Sequence, residues 1–141
     1  MNQDYPKGNE IKIVNIAIFP IGMTSNTYFF KLSSDGYIES MFGTIKSNNI
    51  RDENFIEHSD SVSKKLALSE QQNIVKLIGE IENDKTVLKK AIRKEGWEVL
   101  MSINNNEYNF NYGDYMDNCY GKLVKLVIEY SPLKVDIHGW S

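Results

Sequence analysis

Residues 27–43, TYFFKLSSDGYIESMFG, decide the fold. Two runs rich in aromatic and β-branched residues flank Ser34-Asp35-Gly36, which is the pattern of a β-hairpin. Asp-Gly supplies the positive-φ position that a tight hairpin needs. A type I turn closed by a glycine bulge sets Lys31 opposite Glu39 and Leu32 opposite Ile38. A two-residue Asp-Gly loop would set Leu32 against Glu39 instead, so the first register is expected. Tyr28, Phe30, Leu32, Ile38 and Phe42 then share one face, and that face must be covered.

Upstream, Glu10–Phe19 (EIKIVNIAIF) is nearly continuous in apolar residues, as in a strand covered on both faces. Asn15 interrupts it and needs a hydrogen-bond partner if buried. Met1–Asn9 is polar and reads as a flexible tail. Downstream, Thr44–Ser61 reads as a long polar loop tied down by Ile50, Phe55 and Ile56. Val62–Leu68 alternates as a third strand that extends the hairpin into a meander. Ser69 and Gln72 have the spacing of a capping box, opening a helix whose Ile74, Leu77, Ile78 and Ile81 form the stripe that covers the hairpin. A second, shorter helix is expected over Lys85–Glu95, ending at Gly96. Trp97–Tyr112 repeats the hairpin pattern, and a third helix falls within Asp114–Tyr130, stopped by Ser131-Pro132. Leu133, Val135 and Ile137 alternate as a final strand.

The expected fold is therefore one α+β domain over residues 1–141. Its sheet is mainly antiparallel, built from two hairpin-then-helix units (Thr27–Glu82 and Trp97–Tyr130), with two to three helices packed on one face.

The formal net charge of −3 argues against a general nucleic-acid binder. The lone cysteine, Cys119, excludes an intramolecular disulfide and fits a reducing compartment. No secretory signal or membrane-spanning apolar run is visible, so a cytoplasmic location is expected. Asn, Ile and Lys make up about a third of the chain, a codon bias of AT-rich bacterial or phage genomes.

Four groups of residues carry candidate chemistry. Lys85, Lys89 and Arg93, with Lys90 and Lys94 beside them, would line one helix face as phosphate binding requires, or form a solvated face complementing the helix dipole. Cys119 and His138, with Asp114, Asp117 or Asp136 as orienting carboxylate, form the one thiol–imidazole combination available to a nucleophilic enzyme. No glycine-rich turn for an oxyanion hole accompanies them. Glu57, His58 and Asp60 could bind a metal, but lack any metal-ligand spacing, and no metal or cofactor is expected. Finally, Tyr108, Tyr112, Tyr115, Tyr120, Tyr130 and Trp140 crowd the C-terminal third beside Glu107, Asp114, Asp117, Glu129 and Asp136. Aromatic anchors with acidic neighbours suit a protein partner with a basic surface.

In size, charge and class the chain resembles bacterial immunity and inhibitor proteins. That resemblance implies a non-catalytic protein-binding module that neutralises a basic partner such as a toxin or nuclease. Its contact is expected at Asp114, Tyr115, Asp117 and Trp140, with residues 52–60 as a second contact. The alternatives are a small enzyme using Cys119 and His138, and a nucleic-acid-associated protein using the Lys85–Lys94 stripe.

Overall fold

The structure, a computed structural model, describes residues 13–89, 96–104 and 106–137, with only the backbone described at 58–60. The polar tail over residues 1–9 lies outside these. Among the described residues six strands form one antiparallel sheet: β1 (Val14–Pro20), β2 (Thr27–Leu32), β3 (Tyr37–Ile45), β4 (Ile56–Lys65), β5 (Trp97–Ile103) and β6 (Asn106–Asn111). Their order across the sheet is β4-β3-β2-β1-β5-β6. Among the same residues two α-helices, α1 (Leu68–Asn83) and α2 (Cys119–Tyr130), and a single 3-10 turn at Tyr112–Asp114 complete the α+β architecture.

The β2–β3 hairpin has the expected register, with Lys31 opposite Glu39 and Leu32 opposite Ile38. Gly36 has φ 89°, and its N–H donates to the Ser33 carbonyl at 3.0 Å, while Ser33 N–H donates to the Tyr37 carbonyl at 3.1 Å. That pair of bonds is the type I turn with its bulge. Phe42 shares a face with the other hairpin apolars and stacks 4.8 Å from Tyr28, but lies far enough towards the edge to stay 38% exposed.

The sheet buries both faces near its centre. On one face Val14, Ile16 and Ile18 join Phe30, Leu32, Val99 and Met101 beneath Ile74, Ile78 and Ile81 of α1 and Leu123, Val124 and Val127 of α2. The helices lie antiparallel: Asn73 of α1 bonds the Tyr130 hydroxyl at 3.0 Å, and Cys119 at the start of α2 lies 4.0 Å from Asp84, just past the end of α1. On the other face a smaller core gathers Ala17, Phe29 and Met41 under Ile50, Phe55 and Ile56.

That second core corrects the long loop expected over 44–61. The loop is residues 46–55, and strand β4 begins at Ile56, six residues before the alternation at Val62. Asx-type bonds from Asn49 and Asp52 fold the loop back on itself, so Ile50 and Phe55 reach the sheet and are almost fully buried. A bulge between Phe42 and Gly43 hides the continuation of β4 from a strict period-2 reading.

Three other expectations shift. The N-cap of α1 is Ala67, two residues before the Ser69 read as the cap; its N–H donates to Glu70 Oε1 at 2.9 Å, and with no side-chain oxygen at Ala67 the reciprocal half of a capping box is missing. The helix expected from Lys85 is not formed over residues 84–89. Asp84 Oδ1 accepts from Thr86 N–H and Oγ1, and Lys89 N–H donates to the Tyr115 hydroxyl, so these donors serve side chains instead of a helix. Residues 90–95, with Lys90, Arg93 and Lys94, lie outside the described set. The final strand is likewise absent over residues 133–137. Leu133, Val135 and Ile137 alternate because they pack on the helix-side core, while the backbone of Asp136 bonds the Tyr28 hydroxyl rather than a strand edge.

Ile78 is 2% exposed within the main core. Ile78→Ala is expected to cost about 2–5 kcal/mol in denaturant unfolding. A loss below about 0.5 kcal/mol would place the α1 stripe at the surface.

Candidate functional site

The clearest concentration of functional groups lies where α1 ends and α2 begins. Antiparallel packing brings three pieces of chain together there: the last turn of α1 with residues 84–89, the turn 112–118 that leads into α2, and strand β6. Asn118 caps α2, its Oδ1 accepting from Tyr120 N–H at 3.0 Å and Gly121 N–H at 3.3 Å. Gly121 is required by close approach, since a Cβ there would lie 1.9 Å from the Tyr115 carbonyl oxygen. The turn 112–118 is thereby pressed against α2.

Aromatic rings fill this corner. Tyr120 lies 5.4 Å from Tyr108 and 6.0 Å from Phe110, and Tyr115 lies 5.3 Å from Phe110. Two hollows open beside them, of about 670 and 370 Å³, sharing Asp84 and Thr86. Glu80 and Asp84 edge the first, and Glu82, Asp84 and Glu107 edge the second, with Tyr108 and Tyr120 in its wall. Lys76 also lines the first hollow, and Arg51 pairs with Glu107 at 3.1 Å.

The electrostatics of the corner follow from this crowding. Burial raises the Tyr120 pKa to about 12, reinforced by the Asp84 carboxylate beside its hydroxyl. Tyr108 is raised by burial and by Glu82. Asp84 is lowered, chiefly by the Thr86 hydroxyl. Burial raises the Cys119 thiol, with Asp84 and Glu80 acting in the same direction against the favourable end of α2. The thiol is thus held protonated near neutrality, the opposite of what a nucleophile needs.

The residues singled out in the sequence are distributed as follows. Asp114 and Asp117 are exposed on the turn before α2. Tyr115 is half-buried, and its hydroxyl is held by both backbone groups of Lys89, at 2.9 and 3.2 Å, so its ring is part of the packing. Tyr112, Tyr120 and Tyr130 are buried in the core. Trp140 and His138 lie outside the described residues. Lys85 and Lys89 are exposed on a non-helical segment. For Glu57, His58 and Asp60 the backbone lies in β4, with the side chains of 58 and 60 outside the description. Among the described residues no group of three or more His, Cys, Asp or Glu side chains is arranged to hold a metal ion, and no helix is long and apolar enough to cross a membrane.

Glu80, Glu82 and Asp84 were not legible as a site from sequence. Their signal is an acidic C-terminal end on α1, where a helix ordinarily favours cations. In comparisons with protein-family models and with curated proteins, nothing matches this chain.

Asp84→Asn keeps an acceptor for Thr86 but removes a charge that opposes the Cys119 thiolate. It is expected to lower the thiol pKa and speed native-state labelling by a thiol reagent near neutral pH, from a wild-type rate well below that of the unfolded chain. Wild-type labelling as fast as that of the unfolded chain, or a slower rate in the variant, would contradict this electrostatic account.

Proposed function

We propose that this chain is a non-catalytic protein-binding module, of the immunity or inhibitor kind, that engages a basic protein partner through the corner where α1 meets α2. The observation that carries this reading is the pair of carboxylate-edged hollows, the second of them walled by Tyr108 and Tyr120. Glu80, Glu82, Asp84, Asp114 and Asp117 stand on the pieces of chain that build that corner, and half-buried Tyr108 offers a rigid ring among them. Acidic groups at such a surface steer a basic partner, and a fixed ring orders little on binding. Tyr108 replaces Tyr115 as the anchor, because the Tyr115 hydroxyl is already committed to Lys89.

The competing readings have less support. A raised Cys119 pKa and a neighbouring carboxylate disfavour nucleophilic chemistry at that thiol. The Lys85 and Lys89 ammonium groups are not aligned on a helix, so the regular spacing that suggested phosphate binding is not carried by the fold there.

The test is capture of partners in the native host, followed by kinetics with variants. Glu80→Lys with Asp117→Lys is expected to slow association of a basic partner about tenfold and flatten its salt dependence, while Tyr108→Ala speeds dissociation. A partner whose rates ignore all three changes would place its contact elsewhere.

A further inference from the structure

The sheet ends at β4, and along the outer side of that strand no further strand pairs with it among the described residues. This edge lies at the opposite end of the sheet from β6 and the acidic corner. Which main-chain groups face outward follows from the ladder with β3. Leu66 N–H donates to the Gly36 carbonyl at 2.8 Å, and the pairing continues in step from Tyr37↔Lys65 to Phe42↔Asp60. Antiparallel pairs alternate between those that exchange hydrogen bonds and those that do not. Lys64 and Val62 therefore bond β3, while the N–H and C=O groups of Ser61, Ser63 and Lys65 point away from the sheet.

An edge of this kind is normally blunted by a bulge, a proline or charges at its centre. In β4 the bulge lies beyond Asp60, so it blunts only the first half of the strand. At the centre of the second half, Ser61, Val62 and Ser63 are uncharged and exposed. Val62 pairs with Ser40, two residues from Phe42, so both apolar side chains stand on the helix side. Each is 38% exposed there, beyond the centre that the helices cover.

We infer that the second half of β4 is a self-association surface that takes the same strand of a second copy of this chain, antiparallel, about a two-fold axis at Val62. In this register Ser61 comes opposite Ser63 of the second copy, so the outward-facing groups exchange hydrogen bonds on both sides of the axis. Val62 meets its own counterpart in a non-hydrogen-bonded pair, where side chains approach most closely. Phe42 of each copy flanks that pair, which joins two small exposed patches into one apolar cluster. The strand is acidic at Asp60 and basic at Lys64, and the register sets these positions opposite each other, once on each side of the axis. Sliding by two residues would set Val62 against Lys64 and Asp60 against Leu66, losing both kinds of match. Lys65 does not oppose the pairing, because its ammonium is held by the Asp35 carbonyl over the Tyr37 ring of its own chain. The two sheets then run on as one, with both helix layers on the same side.

The experiment is sedimentation of the full chain across concentration, with amide hydrogen exchange read by NMR. The contact is small, so the dimer is expected to form between about 10 μM and 1 mM. The Ser61 and Ser63 amides are expected to exchange at least about tenfold more slowly in the dimer than in the monomer, and the Val62 amide, bonded to β3 in both, to change less. Ser63→Pro removes an outward N–H and no bond to β3, and is expected to remain monomeric at the highest concentration. Lys64→Asp and Asp60→Lys each set like charges opposite one another and are expected to remain monomeric alone. An equimolar mixture of those two variants restores both opposite-charge pairs and is expected to dimerise. The inference is overturned if the unaltered chain stays monomeric throughout, or if its dimer is indifferent to Ser63→Pro. It is equally overturned if the mixture associates no better than either variant alone.

Discussion

Strand β1 must be covered on both sides, and the rest of the molecule is arranged to do it. It lies between β2 and β5, and Val14, Ile16, Ala17 and Ile18 are fully buried. Val14, Ile16 and Ile18 face the helices, and Ala17 faces the loop 46–55. Two-sided burial of an antiparallel strand is less common than the one-sided case, because most antiparallel sheets leave a face to solvent. Here the helices cover the centre of one face, leaving Phe42 38% exposed towards the edge, and a folded loop substitutes for a second layer over part of the other. The small Ala17 side chain leaves room for Phe29 and Phe55, whose rings meet at 5.1 Å.

Partial covering has consequences for where chemistry can sit. Beyond the loop's edge the open face turns polar along one row of the sheet, Asn15, Lys31, Glu39 and Ser63. There the Nδ2 of buried Asn15 donates to the Ile50 carbonyl at 3.3 Å, while its Oδ1 has no partner among the described residues. On the helix side the packing ends abruptly where α1 stops. Asp84 turns the chain with its own side chain, and the segment that follows is tied to the turn before α2 through Tyr115 and Lys89. Carboxylates at the end of α1 therefore meet tyrosines of β6 and α2. Neither place is the C-terminal end of a parallel strand or a glycine-rich phosphate loop, so each has to be read from its own groups.

Much of the fold was legible because periodicity and turn chemistry agreed. Asp35-Gly36 fixed the hairpin register to the residue, and of the stripe Ile74, Leu77, Ile78 and Ile81 the three isoleucines are buried while Leu77 is only partly so. Each misreading has its own physical cause. At Asp84–Lys89, helical spacing was present, but side-chain acceptors captured the amides locally. At Leu133–Ile137, alternation reported packing on the core rather than pairing in a ladder. At Ile56–Ser61, a bulge broke the period of a real strand. The acidic corner was only half visible. Asp114 and Asp117 stood out beside the tyrosines, whereas Glu80, Glu82 and Asp84 join them only through the antiparallel packing of two helices far apart in sequence. The polar row on the open face was invisible for a similar reason, since Asn15, Lys31, Glu39 and Ser63 become neighbours only when four strands are in register.

The most direct test of two-sided burial is the stability of a Phe55→Ala variant. Phe55 belongs to a loop by sequence but is 1% exposed against the open face. If the loop is a layer of the core, the substitution is expected to cost about 3–5 kcal/mol in equilibrium unfolding, as at any buried phenylalanine. A loss within about 0.5 kcal/mol, the range of surface changes, would mean that the loop does not cover the sheet and that β1 is buried on one side alone.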